Sequence, residues 1–267
     1  MNSIYEAGGK LDLAVTLPDQ QARAKSGRVY LDRFCEQHAI PLVKSRNVND
    51  QAVIDAVKAA DIDWLFIIGW SQIARKDILS APRIGALGIH PTLLPEGRGR
   101  APIPWAILKG LPRTGVTLFK LDEGVDTGPI LDQAIVPLDE STTATELYSA
   151  TEEAAVDLIR AAFPKIMAGS LQPQPQDESK ASTWEGRRPE DGRIDLEGSV
   201  HDAERLVRAV TRPYPGAFVD ENGVRTVIWR ARVGQPGDDT EGAKALSFPD
   251  GVLLALEWDT EDIVVPG

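Results

Sequence analysis

The sequence has 267 residues, of which 42% are hydrophobic, enough for one large core or for two smaller domains. No apolar run approaches the roughly 20 residues that span a bilayer, and the first residues lack the basic start and apolar stretch of a signal peptide. A single cysteine, Cys35, leaves this chain no internal disulfide and no zinc cluster built on thiolates. We therefore expect a cytoplasmic protein.

The formal net charge of −11 disfavours a nucleic-acid partner held by a broad basic surface, since phosphate contacts need clustered Lys and Arg. A local basic patch could still exist on an acidic protein. The run 185–189 (EGRRP) is one such basic spot, and a solvated loop is the expected explanation for it. No glycine-rich dinucleotide or P-loop fingerprint occurs, so the sequence gives no support for a nucleotide cofactor.

Short apolar runs alternate with amphipathic segments over the first two-thirds of the chain, which predicts an α/β domain with a Rossmann-like, mostly parallel sheet. The run 63–69 is apolar on both faces and predicts a central strand. The other predicted strands are 11–17, 40–43, 86–90, 115–120 and 129–136. The predicted helices are 29–38, a helix capped by Asp50 that runs to residue 60, and 147–166.

The chain opens in an unusual way for this architecture. Residues 3–7 resemble the tail of a helix, and the next element is already the strand 11–17. Doubly wound folds usually begin with a buried strand, so either that strand is absent or the chain starts late relative to its relatives. Loss of a central strand would leave two rows of backbone groups without partners, which is costly.

Prolines alternating with glutamines at 171–177 (LQPQPQD) break the helical pattern and predict an extended linker. Beyond it, one helix is predicted at 200–210 and strands at 226–233 and 251–256. The predicted domains are a catalytic domain at 1–170, a linker at 171–180 and a small, mostly β, OB-like domain at 181–267.

A histidine stands at the end of the predicted strand 86–90, before a loop rich in proline and glycine. Ligands of open α/β sheets bind beyond the carboxyl ends of the strands, which places His90 at such a crevice. A second loop, 122–130, carries acidic residues and glycines between two strands and could bring Asp126 to the imidazole. Imidazole can accept a proton from an amine, and a neighbouring carboxylate favours its charged form. The pattern alone leaves a structural role for His90 equally open.

The stretch 90–95 (HPTLLP), followed by Gly99, resembles the HPSLLP…G signature of the formyltransferase family, and 126–130 (DTGPI) resembles that family's second motif. The family includes methionyl-tRNA, glycinamide ribonucleotide and amino-sugar formyltransferases. Further similar segments follow the family in order and spacing, so the resemblance covers most of the chain. These segments are 98–102, 114–117, 191–195, 207–210 and 213–218.

The resemblance implies a 10-formyltetrahydrofolate co-substrate, a primary-amine acceptor and no metal. It implies that His90 is the proton shuttle and Asp126 the carboxylate that orients it. The residues expected to bind the folate are Trp70, Ser71, Gln72, Leu87, Gly88, Ile89, Asp122, Gly124 and Val125. The residues expected to bind the substrate are Thr92, Leu93, Arg98 and Gly99. The run 97–100 either cradles a phosphate or forms a mobile loop.

The sequence departs from the family at one important position. An asparagine that helps to stabilise the developing oxyanion normally lies two residues before the histidine, where this chain has Gly88. Loss of an oxyanion donor costs about 2.7–4 kcal/mol of transition-state stabilisation. A backbone N–H, a water or the amide of Gln72 could take over this role. Otherwise the protein is slow, performs altered chemistry or is degenerate.

Three functions remain open at this point. The first is formyl transfer to a small amine, above all an amino sugar carried on a nucleotide. The second is formylation of methionyl-tRNA, which the acidic balance mildly disfavours. The third belongs to another class, a catalytically impaired relative that binds folate or an amine. The C-terminal domain is also a reasonable interface for a homodimer.

Overall fold

The computed structural model describes residues 1–22, 29–70, 72–235, 238 and 242–263. Contacts divide the chain into two compact units. Unit one consists of Met1–Gly99, Thr114–Val136 and Thr151–Thr183, and unit two of Arg100–Arg113, Pro137–Ala150 and Trp184–Gly267. This division differs from the predicted domains, since two stretches of the predicted catalytic domain pack with the C-terminal residues.

Helices form at the predicted positions, but 29–38 is shorter and 147–166 is longer than predicted, and further short helices lie between them. The helices are α1 (Asn2–Glu6), α2 (Asp19–Ala22), α3 (Asp32–Gln37), α4 (Gln51–Ala59), α5 (Lys76–Leu79), α6 (Pro102–Leu108), α7 (Ala144–Met167) and α8 (Val200–Val210). Asp50 is the N-cap residue of α4, as predicted, but its carboxylate accepts a hydrogen bond from Ser45 rather than from the helix. In the described residues, no helix is both long and apolar enough to span a membrane.

Unit one contains two β-sheets among its described residues. A parallel pair joins β1 (Ala14–Thr16) and β2 (Leu42–Lys44). The second sheet has four strands, in which β4 runs parallel to β3 and antiparallel to β6. Its order is β3 (Trp64–Ile67), β4 (Gly85–His90), β6 (Arg113–Lys120) and β7 (Ile130–Pro137), with the short β5 (Arg98–Gly99) outside it. The α/β fold class is confirmed.

Helices cover both faces of these strands. The apolar residues Val53, Ile54 and Val57 of α4 recur at helical spacing and form one buried cluster. Side chains from β1, β2 and β3 pack against this cluster. On the other face, α7 buries Leu158, Ile159, Ala162 and Phe163 against β4 and β6. A four-residue strand therefore needs apolar side chains on both of its faces.

The strand order corrects the prediction that residues 63–69 form a central strand, and the helices on both faces explain the apolar pattern. In the described sheet β3 is the end strand, its residues are half-buried, and Ile68 just beyond it is 52% exposed. Leu65 packs towards α4, whereas Phe66 lies 6.5 Å from the ring of Phe163. Apolar residues on both faces thus indicate two helical layers, and they do not by themselves locate a strand in the middle of a sheet. Among the described residues, α1 precedes β1, as the opening residues predict.

Unit two contains an antiparallel sheet, which confirms the small, mostly β C-terminal domain. The predicted helix 200–210 is also confirmed, since α8 packs against this sheet and against α6. The order of the sheet is β11 (Lys244–Phe248), β12 (Gly251–Asp262), β10 (Val224–Val233) and β9 (Ala217–Glu221). A further short strand, β8 (Thr183–Trp184), precedes these in the chain.

The predicted linker is extended, but it is attached to unit one. Gln174 and Ile130 donate main-chain hydrogen bonds to each other's carbonyl oxygens, with N–O distances of 2.7 and 2.8 Å. Asp177 then begins a 3-10 turn at Glu178–Lys180 by accepting a hydrogen bond from Ser179. The prolines keep the segment extended while the glutamines between them retain their N–H groups for pairing.

A buried threonine ties the loop after His90 to β6. The hydroxyl of Thr117 donates to the carbonyl of Thr92 at 2.7 Å and accepts the N–H of Leu94 at 3.1 Å. The side-chain amide of Gln133 on β7 donates to the same hydroxyl at 2.8 Å. Thr117 has no exposed surface, so water cannot replace these bonds.

We therefore expect Thr117→Val to lower the free energy of unfolding by about 1–3 kcal/mol, because it leaves buried polar groups without partners. Urea denaturation monitored by circular dichroism measures this change. Thr117→Ser, which keeps the hydroxyl, is the control and should lose much less. Equal stability of the valine variant and the parent chain would contradict this account of the loop.

Candidate active site

The loop between β6 and β7 brings Asp126 to His90. His90 is the last residue of β4 and is 7% exposed. Asp126 lies in the loop between β6 and β7, and its Oδ2 is 3.6 Å from Nδ1 of His90. The side chain of Asp126 is 19% exposed, so the carboxylate is the more accessible member of the pair. The structure thus brings together the two residues that the sequence predicts as catalytic.

Both ring nitrogens of His90 face oxygen atoms. Nε2 is 2.8 Å from the carbonyl oxygen of Gly97, and because a carbonyl only accepts, Nε2 carries a proton and donates it. In the neutral ring, Nδ1 then presents its lone pair to Asp126. A proton that reaches Nδ1 would lie between the imidazole and the carboxylate. The exchangeable proton position of this pair is therefore the gap between Nδ1 and Oδ2.

The Asp126 loop has a strained backbone. Asp126 has φ of 55°, a left-handed conformation that residues other than glycine rarely adopt. Its Oδ2 accepts the N–H of Gly99 at 2.8 Å. The side-chain amide of Gln176 donates to the carbonyl oxygens of Asp126 and Gly128 at 2.8 and 2.7 Å. These bonds fix the carboxylate in the orientation that faces His90.

Position 128 requires a glycine because the main chain of Lys120 lies very close to it. A Cβ atom there would lie 1.7 Å from the carbonyl oxygen of Lys120. No side chain can shift to relieve that overlap, since it involves the backbone. The glycine of the DTGPI segment is therefore explained by packing of the loop against the end of β6.

Arg98 is bonded to two side chains of the segment after α7. Its Nε and one Nη donate to Oε1 of Gln176 at 3.1 and 2.8 Å, and both Nη atoms donate to Glu178 at 3.0 and 2.7 Å. Its side chain is 8% exposed. Hydrogen bonding to Glu178 raises the pKa of Arg98, and the guanidinium lowers the pKa of Glu178. The guanidinium predicted to bind substrate or phosphate is thus occupied, and it orients Gln176.

Gly88 stands on the same side of β4 as His90, two residues away. A Cβ atom on Gly88 would lie 2.8 Å from Cδ2 of Leu121 and 3.2 Å from Cε1 of Phe119. The space in which an asparagine side chain would begin is therefore filled by two apolar side chains. The glycine and this apolar wall are complementary, and a side chain at position 88 needs Leu121 to move.

The amide of Gln72 does not supply the missing oxyanion donor in this structure. Its Oε1 accepts hydrogen bonds from the N–H of Val48 and the indole of Trp70, at 3.0 and 2.9 Å. Its Nε2 donates to the carbonyl oxygen of Arg46 at 2.8 Å. All of these bonds shape the turn after β3, which leaves a main-chain N–H or a water as the remaining candidates.

The other predicted ligand residues fall into two groups. Leu87 and Thr92 are 0% and 1% exposed, main chain included, and the hydroxyl of Thr92 has no hydrogen-bond partner among the described residues. Ile89, Leu93, Gly99 and Trp70 are half-buried, and Asp122, Gly124 and Val125 are exposed. Ser71 lies outside the described residues.

Three residues that the sequence analysis missed belong to this arrangement. Gln176 and Glu178 lie in the predicted linker, where alternating Pro and Gln give no sign of a long-range contact. Leu121 follows β6 and looks like an ordinary apolar residue at a strand end. Of these three, only Leu121 could have been found from the sequence, because the unusual glycine at position 88 indicates that another side chain fills the space there. In the described residues, no group of three His, Cys, Asp or Glu side chains could hold a metal ion.

We expect Gln176→Leu to destabilise the protein by about 1–3 kcal/mol, because two main-chain carbonyls and Arg98 lose their partner. Urea denaturation measures the change. Gln174→Leu is the matched control, since this glutamine lies in the same segment and its side chain forms one hydrogen bond within the described residues, to the carbonyl of Gln172. A similar effect of both substitutions would contradict a specific role for Gln176.

Solved structures share this fold at low sequence identity. Methionyl-tRNA formyltransferase from Clostridium thermocellum superimposes with a TM-score of 0.65 at 20% identity, over 95% of this chain and 100% of that one. HypX from Aquifex aeolicus in complex with tetrahydrofolic acid gives 0.69 at 20%, over 92% of this chain and 44% of that one. The N-formyltransferase from Helicobacter canadensis in complex with folinic acid and dTDP-3-aminofucose gives 0.64 at 17%, over 92% and 99%.

Family comparison covers most of the sequence. Residues 12–163 match the formyl transferase family, and residues 187–260 match the formyl transferase C-terminal domain. The first match includes β4, His90 and Asp126, the elements that build the site. It also confirms the predicted folate-dependent N-formyltransferase with a 10-formyltetrahydrofolate co-substrate. The chain belongs to the formyl transferase family.

Proposed function

We propose that this protein transfers the formyl group of 10-formyltetrahydrofolate to the primary amine of a nucleotide-linked amino sugar, with His90 and Asp126 as the proton-transfer pair. The observation that carries the proposal is the 3.6 Å approach of Nδ1 of His90 to Oδ2 of Asp126. The carboxylate is held by the N–H of Gly99, so it can accept and return a proton without reorienting.

The reaction needs one proton to move as two bonds change. The amine nitrogen attacks the formyl carbon and forms a C–N bond, and the carbonyl oxygen becomes an oxyanion. The attacking nitrogen then loses a proton, and the bond from the formyl carbon to the folate nitrogen breaks. The departing nitrogen takes up a proton. The accessible carboxylate of Asp126 can accept the first proton, share it with His90 across the gap to Nδ1, and return it.

The folate is proposed to lie against the exposed loop 122–125 and the end of β4. Gly124 and Val125 are exposed, and the hydroxyl of Thr127 and the N–H of Gly124 both donate to Asp122, at 2.7 and 3.0 Å. This bonding leaves other main-chain groups of the loop available to a pterin ring. Half-buried Trp70 and Ile89 would supply apolar contacts.

The acceptor is proposed from the sequence motifs and the charge. The segments 98–102, 191–195 and 207–218 resemble amino-sugar formyltransferases, and a net charge of −11 disfavours tRNA. A second function, folate or amine binding with little turnover, is favoured by one observation. Leu121 and Phe119 occupy the space in which a side chain at position 88 would begin.

The direct test is an assay of formyl transfer from 10-formyltetrahydrofolate to nucleotide-linked amino sugars, simple amines and methionyl-tRNA. We expect turnover with a nucleotide-linked amino sugar and a loss of about 10²–10⁴-fold in His90→Ala and Asp126→Asn. His201→Ala, which changes an exposed histidine of unit two, is the control. Retained folate binding without turnover of any amine would leave the binding function, and full activity of both variants would refute the proposed roles.

A second test concerns the apolar wall. We expect Gly88→Asn alone to gain no activity, because its Cβ would collide with Leu121. The double variant Gly88→Asn with Leu121→Ala removes that collision, and we expect it to raise kcat by about 10²–10³-fold if the new amide reaches the oxyanion. Leu121→Ala alone is the control. A gain from Gly88→Asn alone would show that Leu121 does not limit the site.

A further inference from the structure

Basic side chains surround one indole ring in unit two. Nζ of Lys109 lies 5.6 Å from the ring centroid of Trp105, and Cζ of Arg187 lies 5.2 Å from it. Lys109 is also 6.0 Å from the ring of Trp184. The indole N–H of Trp105 donates to the carbonyl of Glu185 at 2.8 Å, which fastens the loop of Arg187 to α6.

A third cation, Arg100, lies beside Gly186, which is in the same loop as Arg187. The N–H of Arg100 donates to the carbonyl of Trp184 at 3.1 Å. A Cβ atom on Gly186 would lie 3.1–3.3 Å from three atoms of the Arg100 guanidinium group. The guanidinium therefore lies against the main chain at Gly186, the residue before Arg187. Arg100, Lys109 and Arg187 make up what we call the Trp105 cluster.

None of these three cations has a carboxylate within ion-pair distance among the described residues. Nine arginines elsewhere do, from Arg83 to Arg232. Arg187 is half-buried, and this burial lowers the pKa of its guanidinium. It donates to the main-chain carbonyl of Asp191 at 2.7 Å, and attraction to the Asp191 carboxylate raises its pKa by less than burial lowers it. A partly desolvated cation whose charge is incompletely balanced gains from an anionic ligand.

We propose that the Trp105 cluster binds the diphosphate group of a small phosphate ester. Guanidinium groups bind phosphate oxygens bidentately, and a lysine adds a point charge. Three cations match the charge of a diphosphate, whereas a single carboxylate would neutralise only one of them. The indole ring of Trp105 lies beside Lys109 and Arg187 and limits the access of water to them, which strengthens ion pairs with a ligand.

The surroundings favour a small anion over a nucleic acid. Glu185, Glu190 and Asp191 are exposed in the same loop and limit the basic surface to a small area. The chain as a whole carries 40 acidic and 29 basic residues. A nucleic acid needs a continuous basic track, because its affinity grows with the number of phosphates neutralised. The cluster is local, and it suits a ligand whose charge is equally local.

The test is isothermal titration calorimetry with inorganic pyrophosphate and with uridine diphosphate, without folate or amine. We expect saturable binding of both that weakens about tenfold in Arg187→Gln and in Lys109→Gln. Arg230→Gln is the matched control, since it removes an exposed arginine from the same unit. Arg187→Lys keeps the charge and should recover part of the affinity. Circular dichroism melting shows whether each variant is folded.

Three results would overturn the proposal. They are the absence of pyrophosphate binding, an equal loss in Arg230→Gln, and tighter binding of a short single-stranded RNA than of uridine diphosphate. Because no formyl donor is present, the result does not depend on formyl transfer. Diphosphate binding without turnover would refute only the proposed enzyme activity, and turnover without diphosphate binding would refute only this site.

Discussion

The site depends on the two hydrogen bonds that the side-chain amide of Gln176 donates to the main chain at Asp126 and Gly128. Asp126 pays a conformational cost for its left-handed backbone, typically about 1–3 kcal/mol. An isolated loop would relax from that conformation. The amide prevents this, and Arg98 prevents the amide from turning, since it donates to the amide oxygen. The buried guanidinium of Arg98 thus helps to hold the Asp126 carboxylate in place through Gln176.

The apolar wall beside His90 has a different physical origin. A strand places residues 88 and 90 on the same side, so whatever fills the space at Gly88 borders the imidazole. Leu121 and Phe119 fill that space, at 2.8 and 3.2 Å from where a Cβ atom would lie, which is closer than ordinary van der Waals contact. An amide there would need both room and hydrogen-bond partners, and the wall offers neither. The departure at Gly88 is therefore a change in a packed unit of three residues, which explains why a single substitution should not reverse it.

The sequence predicted the elements well and their long-range contacts poorly. The family motifs pair His90 with Asp126 in advance, whereas strand direction alone would not, because β4 and β6 run antiparallel and the loop after β6 starts beside Ala86. The sequence does not reveal that helices cover both faces of the sheet. Its apolar pattern therefore predicts a central position for β3, which is the end strand of the described sheet. Gln176 could not be found, because a glutamine between prolines has the same local signal in a free linker and in a bonded one. Ser71 lies outside the described residues.

Two arginines two positions apart show why residue type alone does not assign a role. Arg98 belongs to β5, where its side chain enters the protein and meets Glu178 and Gln176. Arg100 follows after Gly99 and lies against Gly186, with no carboxylate partner among the described residues. The run 97–100 predicts one phosphate-binding role for both arginines. Ion pairing separates them: a guanidinium that is already neutralised holds structure, and one that is not neutralised is available to an anion.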